Sequence, residues 1–283
     1  MKKIRFFLTG FIFLLVLCGC ARIGEEIVKG KSETNTSQSS SLTSDNSSSS
    51  TASSDKKTNT DASFENTLEE NTLESENPPS NKKRISLTFD DGPDPTYTPK
   101  LLELLKKEKV PATFFLLGQN VEMYPEVVKE IVDHGQVIGS HTYDHKDLST
   151  LDESVMTNEI TKTDQIIKKL TGKKPAYFRP PYGSVNEKAA ELINRPIIQW
   201  SVDSEDWKSK NSQMIIDRVT STAYDGSIIL LHDIYPETIG AVPEIIRDLK
   251  KEGYQFVSLN TLLNDPSTNE TYYGENDHRL VGG

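Results

Sequence analysis

The chain has 283 residues, a formal net charge of −10 and 35% hydrophobic residues, which suits a globular protein with extra polar segments. The negative charge disfavours contact with a phosphate backbone, so we predict no nucleic-acid partner. The only cysteines are Cys18 and Cys20. The rest of the chain therefore offers neither a disulfide framework nor a thiolate metal site, and any metal must be held by histidine and carboxylate.

Residues 1–20 are typical of a signal segment. A basic start is followed by an apolar run over residues 6–17, which is too short to span a bilayer as a helix. The sequence Leu17-Cys18-Gly19-Cys20 resembles a bacterial lipobox with Cys20 as the lipidated residue. The alternative is an uncleaved N-terminal anchor helix that continues to about Ile23. Both alternatives place the protein on the extracellular face of the cytoplasmic membrane, facing the cell wall.

Residues 21–81 are predicted to form a disordered linker. Between residues 32 and 63, 19 of 32 residues are Ser or Thr, and the segment that follows is acidic. Such a composition buries too little apolar surface to offset the entropy lost on ordering. We therefore interpret this segment as a flexible tether.

The folded domain is predicted to cover residues 82–263. Short apolar and β-branched runs indicate seven strands, at residues 85–89, 112–117, 136–139, 176–178, 197–202, 228–231 and 255–259. Amphipathic patterns and capping signals indicate six helices between them, at residues 99–109, 125–134, 150–172, 186–194, 213–223 and 238–252. This alternation predicts a parallel α/β domain, closed or nearly closed into a barrel. The polar residues 264–283 are expected to be a frayed tail.

Short polar motifs directly follow these strands. In chain order they are Thr88-Phe89-Asp90-Asp91-Gly92-Pro93, Ser140-His141-Thr142-Tyr143-Asp144-His145, Arg179-Pro180-Pro181-Tyr182-Gly183, Asp203-Ser204-Glu205-Asp206-Trp207 and Leu230-Leu231-His232-Asp233. In a fold of repeated strand–helix units, residues after each strand gather on one face. We therefore expect the motifs to meet in one cleft whose carboxylates and imidazoles suit a metal-assisted hydrolase.

The first two motifs carry the candidate metal ligands. The Asp90-Asp91 carboxylates at a strand end are expected to point in opposite directions, one towards a metal and one towards substrate. His141 and His145 are four residues apart, a spacing that would place both rings on one side of a helical turn. Two histidines and one aspartate leave coordination positions open for water and substrate. The same ligands hold Fe(II) in oxygenases, and the spacing alone does not decide between the metals.

The remaining motifs supply candidate proton-transfer and pocket residues. Arg179 could orient a carboxylate while the Tyr182 backbone N–H faces an oxyanion, or it could form a surface ion pair. Asp206 next to His232 would make that imidazole a general acid. Trp200, inside a predicted strand, is expected in the core.

Together these motifs resemble the polysaccharide deacetylase family, also called the NodB-homology domain or carbohydrate esterase family 4. The resemblance covers roughly residues 82–263, and bacterial peptidoglycan N-acetylglucosamine deacetylases are the members that the chain resembles. It implies a distorted (β/α)7-type barrel. It also implies a hydrolase of carbon–nitrogen bonds in linear amides that removes N-acetyl groups from a polysaccharide.

The resemblance also implies a role for each residue. Asp90 would be the catalytic base, positioned by Arg179, and His232 the general acid, tuned by Asp206. The divalent metal, usually zinc with Co²⁺, Mn²⁺ or Ni²⁺ as alternatives, would be held by Asp91, His141 and His145. Tyr182 would serve the oxyanion through its backbone N–H, and Trp207 and Leu230 would line the pocket for the acetyl methyl group.

Three alternatives stay open at this point. The substrate could be another polymer, such as poly-N-acetylglucosamine, chitin oligosaccharide or acetylated xylan. The protein could be an inactive carbohydrate-binding lipoprotein, although its intact set of motif residues disfavours this. It could also be a non-haem iron oxygenase, although Asp90, Arg179, Asp206 and His232 suit proton transfer better. We expect a monomer that contacts the membrane through Cys20 or an anchor helix.

Overall fold

The computed structural model describes residues 82–268 and 270–281. The predicted signal segment with Cys20 and the predicted linker lie outside these residues. The strands are β1 (Lys83–Asp90), β2 (Ala112–Leu116), β3 (Val137–Ser140), β4 (Tyr177–Phe178), β5 (Ile197–Ile198), β6 (Val202–Asp203), β7 (Ile228–His232), β8 (Tyr254–Phe256), β9 (Glu270–Gly274) and β10 (Asp277–Leu280).

The helices lie between the strands. They are α1 (Tyr97–Glu108), α2 (Gly118–Met123), α3 (Pro125–Asp133), α4 (Glu153–Thr171), α5 (Glu187–Ile193), α6 (Asp206–Ser209), α7 (Ser212–Thr222), α8 (Pro236–Lys251) and α9 (Leu259–Leu263). None of the helices in the described ranges combines the length and the apolar character that a bilayer crossing requires.

The sheet is curled. Its strand order is β10-β9-β5-β4-β3-β2-β1-β7-β6, with β8 also paired to β1. β5 and β6 are far apart in this order but are joined by only residues 199–201. Six strand spacings laid flat would cover about 29 Å, whereas so short a link reaches at most about 14 Å. The sheet therefore bends round until these two strands approach, as the predicted barrel class requires.

The alternation of side chains along β1 separates an apolar outer layer from a polar inner one. Ile85, Leu87 and Phe89 belong to the main apolar cluster, together with buried residues of α1 and α8. Because successive strand residues point to opposite faces, Thr88 and Asp90 share the other face, and both are buried. β1 thus delivers its polar side chains into the interior of the curled sheet.

Most of the predicted elements are present, with three differences. The predicted strand over residues 197–202 is two short strands, because the chain turns between them to connect distant parts of the sheet. The helix predicted from Thr150 begins later, because Thr150 ends a 3-10 turn and α4 begins after Asp152. The short helices α2, α6 and α9 were not predicted, since they carry too few residues for a periodic pattern.

The prediction of a frayed tail after residue 263 is also wrong. β9 pairs in parallel with β5, and β10 folds back on β9 as an antiparallel partner. Tyr272 of β9 is 4% exposed, and its carbonyl accepts a 2.8 Å hydrogen bond from the Gln199 amide. A bridge between Ser227 and Gly274 ties β9 to the segment before β7. The hairpin thus belongs to the folded domain and closes the sheet beside β5.

We predict that ending the chain at Asn264 lowers its melting temperature by about 5–10 °C relative to a chain that ends at Val281. The truncation exposes the surface that Tyr272 covers, and burial of one large side chain is worth about 1.5–3 kcal/mol. Thermal unfolding followed by circular dichroism tests this. Equal melting temperatures for the two chains would contradict the assignment of the hairpin to the domain.

Candidate active site

The polar motifs meet in a cleft of about 420 Å³ at the carboxyl ends of the strands. Eight residues singled out in the sequence line it, namely Asp90, Asp91, His141, His145, Tyr182, Trp207, Leu230 and His232. Arg179 and Asp206 are fully buried and contact the lining residues from behind. Four further residues line the cleft: Pro180, Trp200, Asp203 and Tyr235. Segments far apart in the sequence therefore share one site.

Asp90 is held by a buried guanidinium. Nη1 of Arg179 donates to Oδ1 of Asp90 at 2.7 Å and to the Thr88 hydroxyl at 2.9 Å. The other nitrogens of Arg179 donate to the carbonyls of Ile198 and Gln199, at 3.0 and 2.9 Å. This arrangement excludes the alternative of a surface ion pair. Burial raises the pKa of Asp90, and the charges of Arg179 and His232 oppose the rise without reversing it.

Asp91, His141 and His145 form a candidate metal centre. One ligand atom from each residue lies within 4.8 Å of the others. Oδ1 of Asp91 is 3.6 Å from Nε2 of His141 and 3.5 Å from Nε2 of His145. These separations are long for hydrogen bonds, but they are close to the roughly 3.3 Å between donor atoms around a tetrahedral ion such as Zn²⁺.

The surroundings of these three residues fit a divalent cation. Oδ1 of Asp91 is buried, and no described donor reaches it. Burial lowers the pKa of His141 to about 3, so the imidazole is neutral as a metal ligand must be. Nδ1–H of His141 donates to the Arg179 carbonyl at 2.6 Å, which leaves Nε2, on the side of Asp91, as the unprotonated nitrogen that can bind a metal. The donor set is two imidazoles and one carboxylate, with room for further ligands.

The histidines converge through a loop and not through the predicted helical turn. Residues 141–147 contain no helix, and Thr142 and His145 have left-handed φ values of 66° and 65°. The Thr142 carbonyl accepts from the Gly118 amide at 2.9 Å, and the Tyr143 carbonyl accepts from the Gln119 amide at 2.9 Å. Left-handed backbone is unfavourable for a β-branched residue such as Thr142. The start of α2 therefore stabilises a loop conformation that is costly by itself.

Glu159 of α4 holds the same loop from the other side. Its carboxylate is 1% exposed and accepts from the amides of Tyr143 and Asp144, at 2.9 and 3.1 Å. Its second oxygen accepts from Nζ of Lys146 at 2.9 Å. A carboxylate that accepts several hydrogen bonds can remain buried without a large penalty. Glu159 is thus the anchor of the histidine loop, and it was not singled out in the sequence.

His232 lies across the cleft, on β7. It stands opposite Asp90 in the parallel register of β1 and β7, and its Nε2 is 3.9 Å from Oδ2 of Asp91. Nδ1–H of His232 donates to Oδ1 of Asp206 at 2.7 Å, while the other Asp206 oxygen accepts from the His232 amide and the Thr238 hydroxyl, both at 2.7 Å. Asp206 therefore fixes both the ring and the backbone of this histidine.

The contacts of His232 determine its protonation. Burial alone lowers the pKa of the imidazole, but the hydrogen bond and the charge of Asp206 outweigh burial, and the charges of Asp90 and Asp91 add to them. The result is a pKa raised to about 9. At neutral pH, His232 is therefore a protonated imidazole in the cleft, able to deliver a proton to a leaving group.

Aromatic side chains form the rim. Tyr182 is 70% exposed and Trp207 is 50% exposed. Tyr182 has a left-handed φ of 59° in a 3-10 turn that begins with Pro181, and its ring packs edge-on against His145 at 4.7 Å between centroids. Trp200, which was predicted to be in the core, is partly exposed and lines the cleft. Its neighbour Gln199 takes the buried position instead.

Comparison with known proteins identifies the family. Residues 77–196 match the polysaccharide deacetylase family. A peptidoglycan-N-acetylglucosamine deacetylase from Bacillus cereus is 44% identical over 192 residues, which cover 65% of this chain and 70% of that protein. The chain belongs to the polysaccharide deacetylase family.

Two further relatives show how far the likeness extends. The peptidoglycan-N-acetylglucosamine deacetylase PgdA of Listeria monocytogenes is 42% identical over 200 residues, covering 70% of this chain but only 43% of that protein. The chain thus matches less than half the length of this relative. The solved structure of the peptidoglycan deacetylase PdaC from Bacillus subtilis has a TM-score of 0.63 and 42% identity, covering 65% of this chain and 91% of that chain. This structural likeness confirms the predicted fold class of the deacetylase domain.

The functional residues that the sequence analysis did not identify are those that hold other site residues in place through hydrogen bonds. Thr88, Glu159 and Thr238 are buried polar residues whose partners come from distant segments. Thr88 opens the first motif but was given no role, although it stands two positions before Asp90 and so lies on the same face of the strand. Glu159 lies in an amphipathic helix that carries other charged residues, and nothing local distinguishes it from them.

We predict that Glu159→Gln weakens metal binding by about 10–100-fold, the usual effect of losing a group that orients a ligand. Glutamine keeps one acceptor for the loop amides but places its NH₂ group against Lys146. A chelator competition titration measures the affinity, and circular dichroism of the metal-free protein checks that it is folded. Glu153→Gln, at the exposed start of the same helix, is the matched control. Unchanged metal affinity in Glu159→Gln would contradict the anchoring role.

Proposed function

We propose that this protein is a metal-dependent hydrolase that removes N-acetyl groups from N-acetylglucosamine units of peptidoglycan. The observation that carries the proposal is the arrangement around the candidate metal centre. Nε2 of His141 is 3.7 Å from Oδ2 of Asp90, and Nε2 of His232 is 3.9 Å from Oδ2 of Asp91. A proton acceptor and a protonated imidazole therefore both border one cation site, which suits hydrolysis of an amide.

Asp91, His141 and His145 are the residues that would hold the metal. Zn²⁺ is our first choice because it accepts two imidazoles and a carboxylate readily, and Co²⁺, Mn²⁺ and Ni²⁺ are alternatives with similar ligand preferences. A bound divalent cation would lower the pKa of a water molecule and polarise the acetyl carbonyl group.

The side chains of the cleft supply the proton transfers. Asp90 takes the proton from the attacking water, and burial strengthens it as a base by raising its pKa. Arg179 keeps this carboxylate in place through the 2.7 Å hydrogen bond. His232, protonated and oriented by Asp206, gives a proton to the departing sugar nitrogen. The products are acetate and a free amine on the sugar.

The other cleft residues bind the substrate. We assign the Tyr182 backbone N–H to the oxyanion of the tetrahedral intermediate, as the resemblance implied. Leu230, at the floor of the cleft, and Trp207, at its rim, are assigned to the acetyl methyl group. An exposed aromatic rim also offers flat apolar faces against which sugar rings can stack.

The choice of peptidoglycan is supported by the names of the relatives. Two of them are peptidoglycan-N-acetylglucosamine deacetylases, whereas PdaC is named a peptidoglycan-N-acetylmuramic acid deacetylase. We favour N-acetylglucosamine because both enzymes so named match over a longer segment of this chain. Poly-N-acetylglucosamine, chitin oligosaccharides and acetylated xylan are the alternative substrates.

We also propose that the protein is anchored on the extracellular face of the cytoplasmic membrane through lipidated Cys20. The support is the basic, apolar and then Cys-containing pattern of residues 1–20. Labelling of cells with a fatty-acid probe tests this proposal, with Cys20→Ala as the control. Absence of label on the wild-type protein would favour an uncleaved anchor helix instead.

Release of acetate from defined muropeptides tests the catalytic proposal. The purified protein is stripped with a chelator and assayed before and after Zn²⁺ is restored. Acetate should be released only with the metal, and mass spectrometry should place the free amine on glucosamine and not on muramic acid. Metal-independent release would refute the mechanism. The metal-loaded protein should also be assayed on the alternative substrates. If it releases acetate from neither the muropeptides nor these polymers, the inactive carbohydrate-binding protein is favoured.

We predict that Asp90→Asn lowers the turnover number about 10²–10⁴-fold, the usual contribution of a positioned proton-transfer group. Metal should remain bound, because Asp91 and not Asp90 is assigned as the ligand. Steady-state kinetics and metal analysis of the same preparation test both statements. A turnover number close to that of the wild type would exclude Asp90 as the base.

We predict a bell-shaped dependence of activity on pH. The acidic limb reports protonation of Asp90, whose pKa is raised by burial, and the basic limb reports loss of the proton from His232, whose pKa is raised to about 9. Asp206→Asn removes the charge that raises the pKa of His232. The basic limb should therefore move to lower pH, by about one unit or more.

Asp203→Asn is the control for the pH profile, because Asp203 also lines the cleft but accepts its hydrogen bond from the Glu205 amide. The basic limb of the pH profile of Asp203→Asn should stay close to that of the wild type. If Asp206→Asn leaves the basic limb in place, a group other than His232 is the general acid.

A further inference from the structure

The charges of the domain are separated between its two ends. One end carries the cleft. The other, which we call the basal face, consists of the starts of the strands, the ends of the helices and the loops between them, at residues 82–85, 105–111, 130–137, 167–176, 192–196, 221–228 and 247–255. These segments contain 14 Lys and Arg but only 6 Asp and Glu, although the whole chain has a net charge of −10.

The opposite end has the reverse charge. The segments around the cleft, at residues 90–99, 116–127, 140–156, 178–189, 203–214 and 232–239, contain 15 Asp and Glu and 5 Lys and Arg. Three of the four lysines in these segments are paired, as Lys146, Lys188 and Lys208 each lie within 4.0 Å of a carboxylate. The fourth, Lys210, lies over the ring of Tyr235. Among the described residues, ten of the eleven basal lysines make no ion pair within that distance, and Lys250 is the exception.

Helix electrostatics explain only part of this distribution. Six basal lysines occupy the last turns of α1, α4 and α8, where a cation is favoured by the helix dipole. Lys82 and Lys83 instead lie at the start of the β1 segment, and Lys173 and Lys174 lie in the loop after α4. All four are exposed. Lys82, Lys109 and Lys250 border one shallow groove of about 370 Å³ beside Tyr254.

We propose that the basal face binds the surface of an anionic phospholipid bilayer. The described chain begins at Lys82 on this face, so the preceding 81 residues, with their predicted anchor at residues 1–20, join the domain here. Lysines close to an anionic membrane are attracted to it within about one Debye length, roughly 8–10 Å. Docked this way, the acidic end turns away from the membrane, and the cleft opens towards the wall.

Membrane docking does not depend on the catalytic roles assigned above. It would hold an enzyme or an inactive carbohydrate-binding protein in the same orientation. Its failure would therefore leave the deacetylase proposal intact, and acetate release from soluble muropeptides by the same preparation keeps the two questions apart.

Hydrogen exchange of the full-length chain reconstituted in vesicles tests the proposal. One set of vesicles contains phosphatidylcholine alone and the other also contains phosphatidylglycerol. We expect amide exchange in residues 105–111 and 171–176 to slow about threefold or more in the anionic vesicles at low salt, and to recover at high salt. Equal exchange in the two lipids would overturn the proposal.

Charge-reversal variants make the test specific. The basal variant is Lys109→Glu, Lys173→Glu and Lys174→Glu, and it should lose the protection in anionic vesicles. The control variant is Lys100→Glu, Lys129→Glu and Lys188→Glu, which changes the net charge equally at exposed lysines outside the basal face and should retain the protection.

Two results would contradict membrane docking, the first from these samples and the second after a glycerol-phosphate polymer is added to them. One is equal loss of protection in both variants, which would show that protection depends on the overall charge of the domain and not on the basal face. The other is protection that requires an added glycerol-phosphate polymer and not the anionic lipid, which would assign the basal face to a phosphate-rich wall polymer.

Discussion

The buried guanidinium of Arg179 connects the fold to the chemistry. Its hydrogen bonds reach the β1 residues Thr88 and Asp90 and the carbonyls of Ile198 and Gln199, where the chain crosses the closing edge of the curled sheet. A buried cation is tolerated only when its donors are satisfied and its charge is paired. The same side chain that positions the base therefore requires the sheet to curl, because a flat sheet would separate these partners.

Several site residues occupy left-handed backbone that non-glycine residues rarely adopt. Asp91, Thr142, His145 and Tyr182 all have φ between 59° and 72°. Each such conformation costs on the order of 1–3 kcal/mol unless its surroundings compensate. At the histidine loop the compensation is visible, since amides of α2 and the carboxylate of Glu159 hold neighbouring peptide groups. Rigid elements thus impose a geometry that the loop would not adopt alone.

The sequence predicts the site better than it predicts the supports of the site. Strand ends and polar motifs are local features, so Asp90 and His232 could be expected in one cleft from the order of elements. Trp200 was misplaced because residues 197–202 resemble one continuous strand, and only the curl of the sheet divides them. Glu159 could not be recognised, since it contacts the histidine loop from a separate helix and no local pattern marks it. The place of β9 in the sheet could not be recognised either, because its partner β5 is distant in the sequence.

The polar interior also determines which substitutions are informative. Asp90, His141, Arg179, Asp206 and His232 are all nearly or completely buried, and each is hydrogen-bonded to another group. Truncation of one of these side chains leaves its hydrogen-bond partner buried and unpaired. This commonly lowers the free energy of unfolding by about 3–5 kcal/mol and disturbs the other contacts of the site. Changes that preserve shape, such as aspartate to asparagine, remove the charge with less disturbance of packing. Because the partners belong to different strands, the stability of the sheet and the reactivity of the cleft rest on the same contacts.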